Sequence, residues 1–392
     1  MIVLGAVAVG CTKSGLVETP QKYQEPISFD VYTGKAPTTK ASIVTTNTLA
    51  AHNSETNAAF HVNAFIPGSY GSTYMSKDVW CSSETLTEDS QNAGYYTSWT
   101  YNGTTYWPDS GSLEFVAYGL NAKNYITWND SHTEFTYEVP DKTSEQEDLI
   151  VAVPVTQSVA NNAVQNVPIN FKHLLSRVGF TLQTDTEGVQ VTIKSIKLKG
   201  AFYASGVVDL MATDITADAT SGIKVPEITG DDQDITSSYT LFDAAYGDTG
   251  VTAPFDCFQA ASPGEAGAPI YANKKLTPST GENVPDTYVV NENADENDRY
   301  MMIIPCTPET TDGPATIEVT YELEGAKEKT AAASLGDDFE FKAGKAYEFV
   351  ISMTTASIEF IPTVAPWDEY FTDDNGDPEN VEDMPVLKPI IP

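Results

Sequence analysis

Residues Leu149 to Leu182 read LIVAVPVTQSVANNAVQNVPINFKHLLSRVGFTL, and this stretch decides the fold. Its first five residues, Leu149 to Val153, are apolar on both alternating faces and are stopped by Pro154. That pattern predicts a strand buried on both sides. Gln157 to Gln165 is polar and Asn-rich, the composition of a connector. Ile169 and Phe171 then alternate with Asn170 and Lys172 as the start of a one-sided strand, and Phe180 and Leu182 resume the alternation after the insert His173 to Arg177. A doubly buried strand, a link and the first strand of something new together predict a domain junction.

Outward from the junction, alternation dominates. Ile27, Phe29 and Val31 share one face of a first strand, which Gly34 and Pro37 end, and Thr38 to Ser42 reads as an exposed loop. Phe60 to Ile66, Leu113 to Tyr118, Tyr125 to Trp128 and Phe135 to Val139 are further strands, with a long polar, Tyr-rich section from Tyr70 to Tyr106 between the first two. Asn102-Gly103 within that section is a hairpin signal. In the second half, Val189, Val191 and Ile193 share a face, but the next apolar pair is Ile196 and Leu198; this one-residue slip predicts a β-bulge at Lys194-Ser195. Gly206 to Leu210, Tyr300 to Pro305, Ala315 to Leu323, Ala346 to Met353 and Ser357 to Val364 complete the strands, while Gly230 to Ser238 and Ala260 to Asp298 read as loops.

Composition agrees. The 392 residues include 23 prolines, 26 glycines and 20 tyrosines, and no long stretch carries apolar residues at helical spacing. With about 150 residues per domain, two domains are expected, and short alternating strands without intervening helices predict β-sandwiches. The formal net charge is −34, from 55 acidic against 21 basic residues. Such a surface repels phosphate backbones, which excludes a nucleic-acid partner.

The start of the chain, MIVLGAVAVG, is an apolar run ending in small residues directly before Cys11. It is too short to span a bilayer, which takes about 20 residues, and it suits the end of a signal sequence. Ala8-Val9-Gly10-Cys11 resembles a bacterial lipobox, which implies a lipid thioether on Cys11, insertion in the outer membrane and export through the periplasm. The polar residues from Cys11 to Glu25 would form a tether.

At the junction, Phe171-Lys172-His173-Leu174-Leu175-Ser176-Arg177-Val178-Gly179-Phe180 resembles the fimbrillin family of Bacteroidetes surface lipoproteins. The strand from Tyr106-Trp107-Pro108 to Tyr118, Ile196-Lys197-Leu198-Lys199-Gly200, Ile303-Ile304-Pro305, Ala343 to Phe349 and Ile358 to Trp367 follow in the family's order. The resemblance implies an all-β chain with two tandem transthyretin-like β-sandwich domains, divided here as 1–25 signal and tether, 26–160, 161–366, and a tail of 367–392. It implies a subunit of a cell-surface fimbria (a type V pilus), partnered by other fimbrial subunits and by host or bacterial receptors. Proteolysis would remove the first strand, here Ile27, Phe29 and Val31, by a cut near Lys40, with Lys35 the second choice. A neighbour's C-terminal strand would fill the groove, and its apolar residues here are Val386, Leu387, Ile390 and Ile391. Three prolines in that segment remove ladder donors, which favours a tip, accessory or anchor subunit over a repeating stalk.

Chemical motifs point nowhere else. The chain has no GxSxG, HExxH, Walker loop or strand-following GxGxxG, so no enzyme activity and no cofactor are expected. His52, His61, His132 and His173 lack a metal-ligand spacing, and His173 reads as a packing residue. Asp373 to Asp377 starts like a calcium loop, but Pro378 replaces the required glycine and Met384 the bidentate glutamate. Cys81, Cys257 and Cys306 form an odd set without CxxC spacing and read as free thiols, with one bridge open as an alternative. The alternative function is a glycan-binding outer-membrane surface lipoprotein. Tyr95, Tyr96, Trp99 and Tyr101, with Trp107, are its candidate aromatic contacts, although core packing is the commoner fate of such rings.

Overall fold

The computed structural model describes residues 25–33, 49–82, 96, 98–129, 132–140, 146–158, 166–184, 191–211, 228–230, 235–243, 275–276, 286–289, 301–308, 313–323, 327–353, 358–366, 371–372, 378–379, 382–383 and 389–390. The described residues are all-β, apart from short helical turns such as the 3-10 turn Asn121–Tyr125.

The N-terminal half supplies β1 (Phe29–Tyr32), β2 (Phe60–Phe65), β3 (Met75–Cys81), β4 (Trp99–Tyr101), β5 (Ser112–Gly119), β6 (Ile126–Trp128), β7 (Glu134–Glu138), β8 (Ile150–Ala152), β9 (Val155–Ser158) and β10 (Val167–His173). One sheet runs β1-β10-β8-β5-β2-β3-β4, with β9 also on β5. It curls until β1 meets the flanks of β4. Val31 and Tyr96 exchange backbone hydrogen bonds at 3.0 and 3.1 Å, and Ile27 N–H donates to the Thr105 carbonyl at 2.8 Å. Phe29, Phe60, Phe115, Trp107, Ile150 and Ile169 fill the space so enclosed.

The C-terminal half supplies β11 (Ser176–Thr184), β12 (Val191–Tyr203), β13 (Ser205–Asp209), β14 (Ile228–Gly230), β15 (Ile235–Asp243), β16 (Lys275–Leu276), β17 (Asp286–Val289), β18 (Met301–Ile303), β19 (Thr316–Leu323), β20 (Lys329–Ser334), β21 (Lys345–Met353) and β22 (Ile358–Pro366). Short strands β23 (Phe371–Thr372), β24 (Pro378–Glu379), β25 (Glu382–Asp383) and β26 (Pro389–Ile390) follow. Two sheets, β17-β11-β21-β22-β25 and β15-β12-β19-β20-β26, pack as a sandwich. Val178, Phe180, Phe349 and Phe360 of the first meet Ile196, Leu198, Ile317 and Val319 of the second. Both elements of this packing follow from alternation: each strand turns one row of side chains inward.

A third core joins the halves. Val116, Tyr118, Leu149 and Val151, on the outer face of the first sheet, pack with Phe135, Tyr137, Val208, Met302 and Ile304. The small sheet β14-β13-β7-β6 belongs to it, with β7 of the first half paired to β13 of the second. This explains the doubly buried strand of the junction: Ile150 and Ala152 enter one core, Leu149 and Val151 the other.

Several expectations change. Strand β10, read as the first strand of a new domain, pairs with β8 and, in parallel, with β1; the first sheet therefore extends to His173. Asn102-Gly103 is a turn with Gly103 at φ 71° but does not join hairpin partners, because β4 pairs with β3 and β5 with β2. The Tyr-rich section contains β3 and β4, and part of the acidic Gly230 to Ser238 stretch is strand β15. Lys275–Leu276 and Asp286–Val289 are strands within the stretch read as loop. The bulge is where the slip in alternation puts it: β12 shifts register against β19 between Ile193 and Ser195.

Candidate functional site

The proposed removable strand occupies a distinctive place. β1 closes the curled sheet, with a parallel ladder on one side, from Phe29 opposite Val167 to Tyr32 opposite Asn170. On its other side it has isolated antiparallel bridges, Pro26 with Tyr106 and Val31 with Tyr96. The Tyr101 hydroxyl adds a hydrogen bond to the Ile27 carbonyl at 2.7 Å, and Trp107 N–H donates to the Glu25 carbonyl at 3.0 Å. Ile27, Phe29 and Val31 are 2%, 1% and 0% exposed. Phe29 stands edge-on to Phe60, Phe115 and Tyr101 with centroids 5.9 to 6.4 Å apart. Apolar burial of about 1.5–3 kcal/mol per large side chain holds the strand, and its removal would leave two strand borders without partners.

The other site residues scatter or fall outside the described residues. Cys11, Lys35, Lys40, Tyr95, Cys257, Val386, Leu387 and Ile391 lie outside them, as does the calcium-like loop Asp373 to Asp377. Ile390 lies in β26, which pairs with Ala332 and Ala333 of β20 in the same chain. Among the described residues no group of His, Cys, Asp or Glu is arranged to hold a metal ion. Cys81 and Cys306 are buried in different cores, so they do not bridge each other.

Of the aromatic candidates for sugar contact, the two tryptophans pack in the core. Trp99 and Trp107 are 7% and 3% exposed, and both belong to the core beside β1. Trp99 donates its indole N–H to the Tyr96 carbonyl at 2.8 Å. These rings pack; they do not present a face. The half-buried Trp80 of β3 instead lines an open polar groove with His61, Asp78 and Asn102. Sequence reading passed over it: Met75, Val79 and Cys81 turn inward around it, but Lys77 interrupts their alternation.

Near the junction, His173 packs as expected of it. Its Nδ1 lies 2.7 Å from Asp148 Oδ2 in a buried setting. Burial first, then the charge of Asp148, raises the neighbouring Glu147 carboxyl above its ordinary range.

With this geometry in hand, the likeness to known proteins is informative. A family model described as fimbrillin-like matches residues 74–254, which include the whole junction. The resemblance carried by Phe171 to Phe180 is thereby borne out over that span, and the matched family is one of non-enzymatic subunits. No curated protein matches the chain. Solved structures that resemble it include a candidate cell adhesion protein from Bacteroides uniformis, at 12% identity and TM-score 0.45, covering 87% of this chain and 99% of that one. A fimbrial assembly protein from Parabacteroides distasonis has 12% identity and TM-score 0.38, over 88% and 96%. The fimbrial anchor protein Mfa2 from Porphyromonas gingivalis has 10% identity and TM-score 0.30, over 88% and 98%.

Proposed function

We propose that this chain is a subunit of a bacterial cell-surface fimbria, exported as a lipoprotein, held in the outer membrane through Cys11 and matured by loss of its first strand. The carrying observation is β1 with the residues that lead into it: a closing segment with fully buried Ile27, Phe29 and Val31, ladder-paired on one side and only bridged on the other. Release of β1 creates a slot whose borders, β10 and the segment around Tyr96 to Trp107, accept a strand by main-chain pairing. Alternating apolar pockets add affinity and register.

A donor with apolar side chains at alternate positions fits that slot. Val386, Leu387, Ile390 and Ile391 supply them, while Pro385, Pro389 and Pro392 donate no ladder hydrogen bonds. A weakened donor fits a subunit that receives a neighbour's strand but seldom gives one, so a tip, accessory or anchor position is favoured over a stalk. The two-domain division then falls after β10, at Leu174-Leu175, where the chain leaves the first sheet.

The test is limited digestion of the full chain with a Lys-specific protease, followed by mass spectrometry and size exclusion. Cleavage near Lys40, loss of the peptide containing Phe29 and uptake of a synthetic peptide spanning residues 384–392 support strand exchange; SDS-resistant multimers identify a stalk subunit. A cut chain that keeps β1 and takes up no peptide refutes it. A second reading, a glycan-binding surface lipoprotein, is favoured by the groove beside Trp80.

A further inference from the structure

Strand β3 turns Met75, Val79 and Cys81 into the core and presents Ser76, Asp78 and Trp80 on the opposite face. With Glu55, His61, Lys77 and Asn102, these outward residues line an open groove of about 430 Å³. That volume lies within the ~300–1,000 Å³ of small-molecule sites.

The polar groups of the groove are held in place before any ligand arrives. His61 Nδ1 faces Asp78 Oδ1 at 2.6 Å, and its Nε2 faces Ser76 Oγ and Asn63 Oδ1, each at 3.1 Å. Asn63 is buried, and its amide nitrogen donates to the His132 carbonyl at 3.2 Å, which fixes the amide and through it the imidazole. Across the groove, Asn102 Nδ2 donates to Glu55 Oε1 at 2.7 Å, while Lys77 Nζ donates to the Asn102 carbonyl at 3.0 Å. Gly103 makes this turn at positive φ, and Lys77 Nζ lies 3.8 Å from where a side chain there would begin.

These contacts leave capacity over. Each carboxylate can accept about four hydrogen bonds and the ammonium can donate three, so donors and acceptors alternate around a half-exposed indole. An anion is disfavoured by Asp78, Glu55 and the net charge of −34. A cation is disfavoured by Lys77 on the groove wall. A neutral, many-hydroxyl ligand meets neither penalty: its hydroxyls match both kinds of partner, and the apolar face of a sugar ring can lie on the indole.

We propose that this groove binds a neutral saccharide, with one sugar ring on Trp80 and its hydroxyls shared among Asp78, Glu55, Asn102 and Lys77. The site deepens the surface-protein reading but does not depend on strand exchange: Asn102 and Gly103 belong to the segment that borders β1, but Trp80, Asp78 and His61 lie on β2 and β3, which do not pair with β1. A failure to exchange strands leaves it standing, and its own failure leaves exchange standing.

The experiment is binding of the full chain to an array of neutral and sialylated oligosaccharides, with an oligo-lysine peptide as a further probe, followed by titration calorimetry on the best neutral glycan. Binding to neutral glycans that falls at least tenfold in Trp80→Ala and several-fold in Asn102→Ala and Glu55→Gln is the expected result. Asn102 and Glu55 are exposed, so their variants decide the matter if Trp80→Ala does not fold. No neutral glycan bound, binding unaltered in all three variants, or preference for the peptide or for sialylated glycans overturns the proposal.

Discussion

His173 Nδ1 lies 2.7 Å from Asp148 Oδ2, with the imidazole 6% and the carboxylate 0% exposed. The pair ties the end of β10 to the segment entering β8. Asn121 donates its side-chain amide to the Asp148 carbonyl, and Gln146 reaches both ways: its amide nitrogen donates to the Pro140 carbonyl, and its oxygen accepts from Met302 N–H at 2.7 Å. Met302 belongs to the second half, so this buried polar cluster crosses the same joint as the third apolar core.

Removing either member of the pair strands a buried polar group. Asp148→Ala and His173→Ala should each lower stability by about 1.5–3 kcal/mol, the range for a buried hydrogen bond to a charged group. The double variant should lose less than the sum, because the partners act through one contact. Urea unfolding of the four proteins measures this, and strict additivity would show that the contact is not formed.

The buried thiol of Cys306 should be inert in the folded chain. Burial pushes its pKa up to about 12, and the thiolate is the reactive form. Alkylation by iodoacetamide at mildly alkaline pH should be negligible before denaturation and complete after it. A nonreducing peptide map should contain no peptide joining Cys81 to Cys306. Rapid native labelling of Cys306 would contradict the burial.

How much of this was legible in the sequence depended on where each signal lies along the chain. The doubly buried strand at Leu149 to Val153 was plain, because consecutive apolar residues have no other use in a short strand. The bulge near Ser195 was equally plain, because a one-residue slip moves a side chain from one face to the other. The allegiance of β10 was not: alternation says that a strand has a wet face, not whether it pairs with the strand before it or after it. Trp99 and Trp107 could be read either way, as packed or as presented rings, because an aromatic in a polar, Tyr-rich section is not assigned to a face until its sheet is known. The Trp80 groove was invisible because Glu55, His61, Asp78 and Asn102 come together only across strand pairs. Lys77, at an inward position of β3, also broke the alternation that would have revealed the strand.

The pH response separates two carboxylates of opposite behaviour. The hydrogen bond from His61, above all, holds Asp78 below the ordinary 3.8; burial opposes this, and the charges of His61 and Lys123 assist. A depressed folded-state pKa gives stability that is present above 3.8 and is lost as pH falls through the lowered value. Asp78→Asn should therefore lower the Tm at neutral pH, by a modest amount because the carboxylate is half exposed, and the gap should narrow in acid. Glu147, raised by burial, has the opposite sign: its contribution grows as pH falls through its raised value, so Glu147→Gln should gain most at neutral pH. Melting curves from neutral pH to below 3.8 check both, and parallel curves for wild type and Asp78→Asn would refute the first.

Gly200 offers a test of packing in the second half. It lies in β12, where the register against β15 shifts between Lys199 and Phe202. A Cβ there would stand 2.7 Å from the Pro308 carbonyl oxygen, 2.9 Å from Ala315 Cβ and 3.2 Å from Phe202 Cε2. The nearest of these is backbone, and the same carbonyl accepts from Ala201 N–H at 3.3 Å. A methyl group therefore cannot be accommodated by a rotamer change; the segment carrying Pro308 must move away from β12. Gly200→Ala should cost about 1–3 kcal/mol, the usual range for an overpacked site, and Gly200→Val should cost more. Both follow from urea unfolding at unchanged m-value. The loss should appear without any change at the N-terminal groove, because Trp80 and its neighbours belong to another sheet. A Gly200→Ala protein as stable as wild type would mean that β12 and the Pro308 segment do not approach as closely as described.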